Sequence, residues 1–199
     1  MVAFSSVDEF YRHFFEKVQS MYGEEYFAEK KLFKPENYLS YSPFYTYEDK
    51  WFRYVRDEFL STNKYESFML DIMSAHNFKE EEINSKVFLD DNKIKQLAEM
   101  GHTVGLHSYT HPTKMQILSK EQQRDEYLKN LNHLERLLGK GRITSMSHPC
   151  GNYNEATLSL LDLLGIKIGF MGWMGARSIK SAFEIPREDH VSVLKSMAQ

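Results

Sequence analysis

Gly101-His102-Thr103-Val104-Gly105-Leu106-His107-Ser108-Tyr109-Thr110-His111-Pro112 is the stretch from which the rest of the chain can be read. Its Val104-Gly105-Leu106 run has the apolar character of a short strand, and Pro112, lacking an N–H, prevents regular structure from continuing. A strand that ends at His107 and then turns tightly aims His107 and His111 into one pocket. That is half of a divalent-metal site made from neutral imidazoles.

Working outward, Asp90-Asp91 opens a helix carrying Ile94, Leu97 and Met100, and Gly101 supplies its C′ residue. On the other side, Ser119-Lys120-Glu121-Gln122 has the form of a capping box. It heads a long helix with Tyr127, Leu131, Leu134 and Leu138 on one face, stopped by Gly139. Residues 143–147 read as a strand. Asn154-Glu155 opens a helix through Leu158, Leu161 and Leu164 to Gly165, and residues 166–170 and 183–185 read as further strands. Strands alternating with helices from Val87 onward predict parallel βαβ units and an α/β fold. In such folds chemistry gathers where strands end, and His107 stands at such an end.

The first half differs. Ser5-Ser6-Val7-Asp8-Glu9 reads as an N-cap, followed by Phe10, Phe14 and Val18 at helical spacing up to Gly23. Residues 25–47, with Pro35 and Pro43, read as turns and loop. Helices are expected over 48–60, with Trp51, Tyr54, Val55 and Leu60 as the apolar stripe, and over 67–76. Aromatic rows at helical spacing read as core ahead of a sugar-stacking platform. The expected division is therefore a helical, aromatic-rich region over 1–85 and a βα region over 86–199.

The 199 residues suffice for a real core, and 42% hydrophobic content marks a globular chain. A net charge of −3 with scattered Lys and Arg excludes a basic nucleic-acid footprint. One cysteine, Cys150, excludes an internal disulfide framework and suits a reducing compartment. No apolar run approaches the roughly 18 residues of a membrane span. The first residues lack a basic segment and an apolar segment, so no secretory signal and a cytoplasmic location are expected.

Three segments together carry a resemblance to the polysaccharide deacetylases of the NodB-homology type, carbohydrate esterase family four. The segment from Gly101 to Pro112 resembles the family's H-[ST]-x-x-H-P metal motif after a strand. Ser147-His148-Pro149-Cys150-Gly151-Asn152-Tyr153-Asn154 resembles R-x-P-x-G-x-x-[ND] at the next strand end, with Ser147 in the arginine's place. Ile185-Pro186-Arg187-Glu188-Asp189 resembles a P-R-x-D segment after the last strand. The three cover about residues 86–190, and the aromatic half resembles a helical insertion found in some members.

The resemblance implies a partial or distorted (β/α)7-type barrel and hydrolysis of an N- or O-acetyl group on a sugar or polysaccharide. It implies His107 and His111 as ligands of a divalent metal, with zinc the leading candidate, that polarises the acetyl carbonyl and activates water. It assigns the Cys150 backbone N–H to the oxyanion and Tyr109, Pro149 and Gly151 to the substrate. Arg187 and Asp189 read either as a catalytic pair orienting each other at the barrel rim or as an exposed ion pair of little energetic value. The family's T-F-D-D-G motif, source of the base and an aspartate ligand, has no counterpart before His107. Phe88-Leu89-Asp90-Asp91 reads instead as an N-cap with first-turn charge. His148 is expected to face away from the pocket, and His13, His76, His102 and His133 to be structural or solvated.

The chain therefore reads as the latter part of a deacetylase, a truncated form whose open barrel edge a homodimer mate or complementing chain would cover. The alternative is a non-catalytic, degenerate deacetylase-fold domain with a sugar-binding or assembly role. A third reading, a different metal hydrolase, would draw a ligand from Asp71.

Overall fold

The computed structural model describes residues 4–40, 42, 44–79, 87–172, 178–188, 193–194 and 197. It divides into two compact units, Met1–Ile83 and Asn84–Gln199. Among the described residues no helix is long and apolar enough to cross a membrane.

In the first unit, α1 spans Val7–Leu32, and the Ser6 side chain accepts from the Glu9 N–H as its N-cap. The expected stop at Gly23 is corrected. Gly23 takes φ 48°, ψ −119°, making a kink after which the helix resumes to Leu32. The continuation is stabilised by packing: Tyr26 is buried and its hydroxyl accepts from Trp51 Nε1 at 3.0 Å. α2 (Tyr47–Tyr54) starts from a Thr46/Asp49 capping box and runs into a π-turn over Val55–Phe59. α3 (Thr62–Ala75) begins earlier than the expected residue 67, because Ser61 caps it by accepting from the Lys64 N–H. The aromatic rows are core, as expected. Phe14, Trp51, Phe52, Val55 and Phe68 are all buried in one cluster, with Phe14 and Phe52 edge to face at 4.9 Å.

In the second unit, α4 (Asp91–Glu99) is capped by Asp90, whose carboxylate accepts from the Lys93 N–H at 2.8 Å. The N-cap reading of Asp90-Asp91 is thus what the structure shows, and Asp91 faces His133 and Arg136. α5 (Lys120–Leu138) has the expected Ser119/Gln122 capping box and ends at Gly139 with φ 103°. β1 (Ser145–Ser147) is followed by a 3₁₀ turn over Pro149–Gly151, α6 (Glu155–Leu163) and β2 (Ile168–Phe170). β1 and β2 are parallel, with Met146 opposite Gly169.

The expected strands leading into His107 and over 183–185 are reduced to single bridges, Leu106 to Met146 and Ile185 to Phe170, both parallel. The described residues therefore form four parallel tracks, in the order Leu106, β1, β2, Ile185, and not a closed barrel. Among the described residues the outer tracks pair on one side only, which leaves little to hold a long strand. Leu106, Met146, Leu161, Ile166, Tyr127 and Leu131 form the core beneath them. A buried Gln123–Thr157 hydrogen bond of 2.6 Å ties α5 to α6.

Candidate metal site and its loops

All four tracks run the same way, so the residues just past their ends gather at one rim. These are His107, His148-Pro149, Met171-Gly172 and Pro186-Arg187. The rim begins at Leu106, whose N–H donates to Ser145 O and whose carbonyl accepts from the Ser147 N–H, both at 2.9 Å. The chain then turns through Ser108 (φ 63°) and His111 (φ 57°), two non-glycine residues in the left-handed region.

That turn brings the imidazoles of His107 and His111 together, Nε2 to Nε2 at 3.1 Å. His107 Nδ1 lies 2.8 Å from the Ser147 carbonyl, a geometry in which Nδ1–H donates and the Nε2 lone pair is left facing His111. Two nitrogens sharing one tetrahedral cation at bonds of ~2.05 Å stand about 3.3 Å apart. The pair thus has nearly the spacing of two ligands, and the bond from His107 Nδ1–H leaves that ring's Nε2 free to ligate. His107 keeps a solvent-open face, but protein packed around its other side holds its pKa below the ordinary histidine value. The Ser147 carbonyl opposes this shift, and the charges of His111 and Arg187 reinforce it. A depressed pKa favours the neutral ring that a metal requires. Among the described residues no three His, Cys, Asp or Glu side chains converge as a metal cluster.

The remaining expected site residues fall as follows. Cys150 is exposed and takes φ 51° within the turn over Pro149–Gly151. Pro149 is buried, whereas Tyr109 is 59% exposed at the mouth. At Gly151 (φ 67°) the close approach is to Gly172, whose own added Cβ would lie 3.2 Å from the Gly151 Cα. Gly151 is thus favoured by its left-handed backbone conformation, and it is at Gly172 that the neighbouring loop's backbone crowds out a side chain. Arg187 is near enough to His107 to depress its pKa. Asp189 lies outside the described residues, as does His190. Asp71 is partnered by Lys17 at 3.1 Å in an exposed pair.

His148 is buried. Its ring stacks on Tyr153 with centroids 4.2 Å apart, and Nε2 lies 2.8 Å from the Phe183 carbonyl. Tyr153 Oη donates to Glu184 at 2.8 Å, and burial with that bond pushes the phenol up to about 12. Asn152 Nδ2 donates to the Thr113 carbonyl at 2.7 Å, joining the two rim loops.

Sequence reasoning missed the residues that hold the histidine loop. Glu126 and Asn130 on α5 accept from its backbone. The available signal was their i, i+4 spacing beside buried Tyr127 and Leu131, which places them on a shared side of the helix. A cleft of about 500 Å³, lined by Lys95, His102, Thr103, Leu138, Arg142 and Ile143, opens at the opposite ends of the tracks and does not include the histidine pair.

The sequence model of the polysaccharide deacetylase family matches residues 45–169, and the chain belongs to that family. The match starts earlier and stops sooner than the 86–190 expected from the motifs. Members of the family generally depend on a divalent metal. No curated protein matches the chain. Among solved structures it is similar to the Streptococcus pyogenes deacetylase PplD in complex with acetate, at 21% identity and a TM-score of 0.48, covering 61% of this chain and 57% of that one. It is also similar to a BA3943 mutant described as a CE4 family pseudoenzyme, and to a BA3943 mutant pseudoenzyme with restored enzymatic activity. Each is 20% identical with a TM-score of 0.36, covering 49% of this chain and 36% of the other. The chain therefore spans little more than half the length of the first of these structures, and about a third of the others.

Proposed function

We propose that the chain is a metal-dependent carbohydrate deacetylase site, in which His107 and His111 hold a divalent cation, zinc first among candidates. The observation that carries this is the convergence of the two Nε2 atoms at 3.1 Å with His107 Nδ1 tied to the Ser147 carbonyl. Bound there, the cation would supply Lewis acidity toward an acetyl carbonyl. The chain's own groups would do the rest. The Cys150 amide donates to the developing oxyanion, Tyr109 and Pro149 flank the sugar, Gly151 shapes the turn beneath it, and Arg187 and Asp189 act at the rim. The substrate class is an acetylated sugar or polysaccharide, and the proposed location is the cytoplasm.

A second reading has a specific observation behind it. Among the described residues no carboxylate joins the histidines as third ligand or base, and a hydrolytic zinc site ordinarily has three protein ligands. On that reading the domain keeps the fold and binds sugar or a partner without hydrolysing it. The partner we propose is a second copy or a complementing chain that pairs with the outer edge of the Leu106 track. What supports an edge contact is that, among the described residues, the Leu106 track pairs only with β1.

Zinc titration by calorimetry, combined with acetate release from acetylated aminosugar oligomers, decides between the readings. The enzyme reading expects binding and acetate release, both abolished in His107→Ala and His111→Ala. Binding without acetate release leaves the non-catalytic reading, and absence of binding removes the metal site. Sedimentation of the same samples, showing monomer alone at every concentration, would remove the second copy.

A further inference from the structure

The loop that carries the histidines is conformationally costly. Ser108 and His111 both sit at positive φ, at 63° and 57°, where side-chain-bearing residues are disfavoured. Such a conformation persists only where surrounding groups over-determine it. Here the determinants can be named. Glu126 Oε2 accepts from the Tyr109 N–H at 3.0 Å and from the Thr110 N–H at 2.8 Å, while Oε1 accepts from Thr110 Oγ1 at 2.8 Å. One helical turn on, Asn130 Oδ1 accepts from the His107 N–H at 3.1 Å. Ser108 Oγ, itself in a buried residue, accepts from the His111 N–H at 3.1 Å. The amides of residues 107, 109, 110 and 111 are thus all captured by side chains.

We infer that Glu126 and Asn130 are positioning residues that pre-set the histidine pair for metal capture. They stand on α5 beside Tyr127 and Leu131, which are fixed in the core, so the loop is latched to the most anchored helix of its unit. Both oxygens of Glu126 accept from the loop, which is the arrangement of a latch. Two N–H donors on one carboxylate oxygen are charge-assisted, and their geometry fixes the peptide planes between the two ligands. Outer groups of this kind ordinarily change metal affinity by roughly 10–100-fold when removed.

The inference rests on the metal reading for its affinity arm only. The test uses the full chain, zinc alone as probe, and two readouts: calorimetric affinity, and amide hydrogen exchange in the metal-free protein. Glu126→Ala and Asn130→Leu should each weaken zinc binding by roughly 10–100-fold and speed exchange at His107, Tyr109 or Thr110, with helix content unchanged. Glu126→Gln and Asn130→Asp keep an acceptor oxygen and should recover most of both effects, a rescue that a general loss of packing would not show. Unchanged affinity and unchanged exchange in Glu126→Ala overturn the inference. If the parent chain binds no zinc, the ligand assignment fails and the exchange readout alone decides the latch. If Glu126→Ala does not fold, the comparison of Asn130→Leu with Asn130→Asp decides in its place.

Discussion

His148 is 1% exposed, stacked on Tyr153 and bonded through Nε2 to the Phe183 carbonyl, while its Nδ1 has no partner among the described residues. Burial drives its pKa below the ordinary value, with His107 acting the same way and the Phe183 carbonyl and Glu184 acting against. The native state therefore binds a proton at this ring less readily than the unfolded chain does. The stability this contributes is complete above the unfolded value of about 6.5 and is lost as pH falls through the folded value. Replacing His148 with Gln, which keeps an N–H for Phe183, should flatten the fall in Tm as the pH drops below about 6.5. Parallel curves for the two proteins would show that the ring does not titrate with folding. Position 148 was legible from strand alternation, because neighbouring strand residues face opposite ways. Its stacking partner was not, since Tyr153 reaches it only after the turn over Pro149–Gly151 and is held there by Glu184, distant in sequence.

Helix starts were the most legible elements, because Asp90, Ser119 and Asn154 each cap a helix through a side-chain acceptor that local sequence alone specifies. Stops were less so. Gly139 ends α5, whereas Gly23 only kinks α1, and the difference lies in the burial of Tyr26 beyond the kink. The strands shrank because their length depends on neighbours, which no local pattern reveals. The close contact between Gly105 and β1 belongs to this class of non-local fact. A Cβ at Gly105 would lie 2.6 Å from Ser145 Oγ and 2.7 Å from the Ser145 carbonyl, which itself accepts from the Leu106 N–H. Gly105→Ala should therefore destabilise the chain by about 1–3 kcal/mol in urea denaturation. It should also weaken zinc binding, because His107 begins where the displaced bridge ends. An alanine variant with unchanged midpoint and affinity would mean that the two tracks are not held this close.

The α/β character of the second half was readable from alternating helix and strand patterns, and the family membership from the motifs at 101–112 and 147–154, which lie inside the matched residues 45–169. The barrel was not recoverable in the same way, since closure depends on strands pairing across long sequence separations and the described tracks number four. What the patterning did separate was two kinds of core. One buried cluster draws its members from Tyr11 to Ile72, almost all aromatic or β-branched residues on helices. The other runs from Leu106 to Ile166 beneath parallel tracks. With no buried residue in common, two such cores need not melt as one cooperative unit. Leu161, fully buried in the second cluster, should cost about 2–5 kcal/mol on truncation to Ala. Phe14, fully buried in the first, should cost about 3–5 kcal/mol. Calorimetry of the parent chain should resolve two transitions, with Leu161→Ala lowering one and Phe14→Ala the other. A single transition that moves equally with either substitution would show that the two cores are coupled into one folding unit.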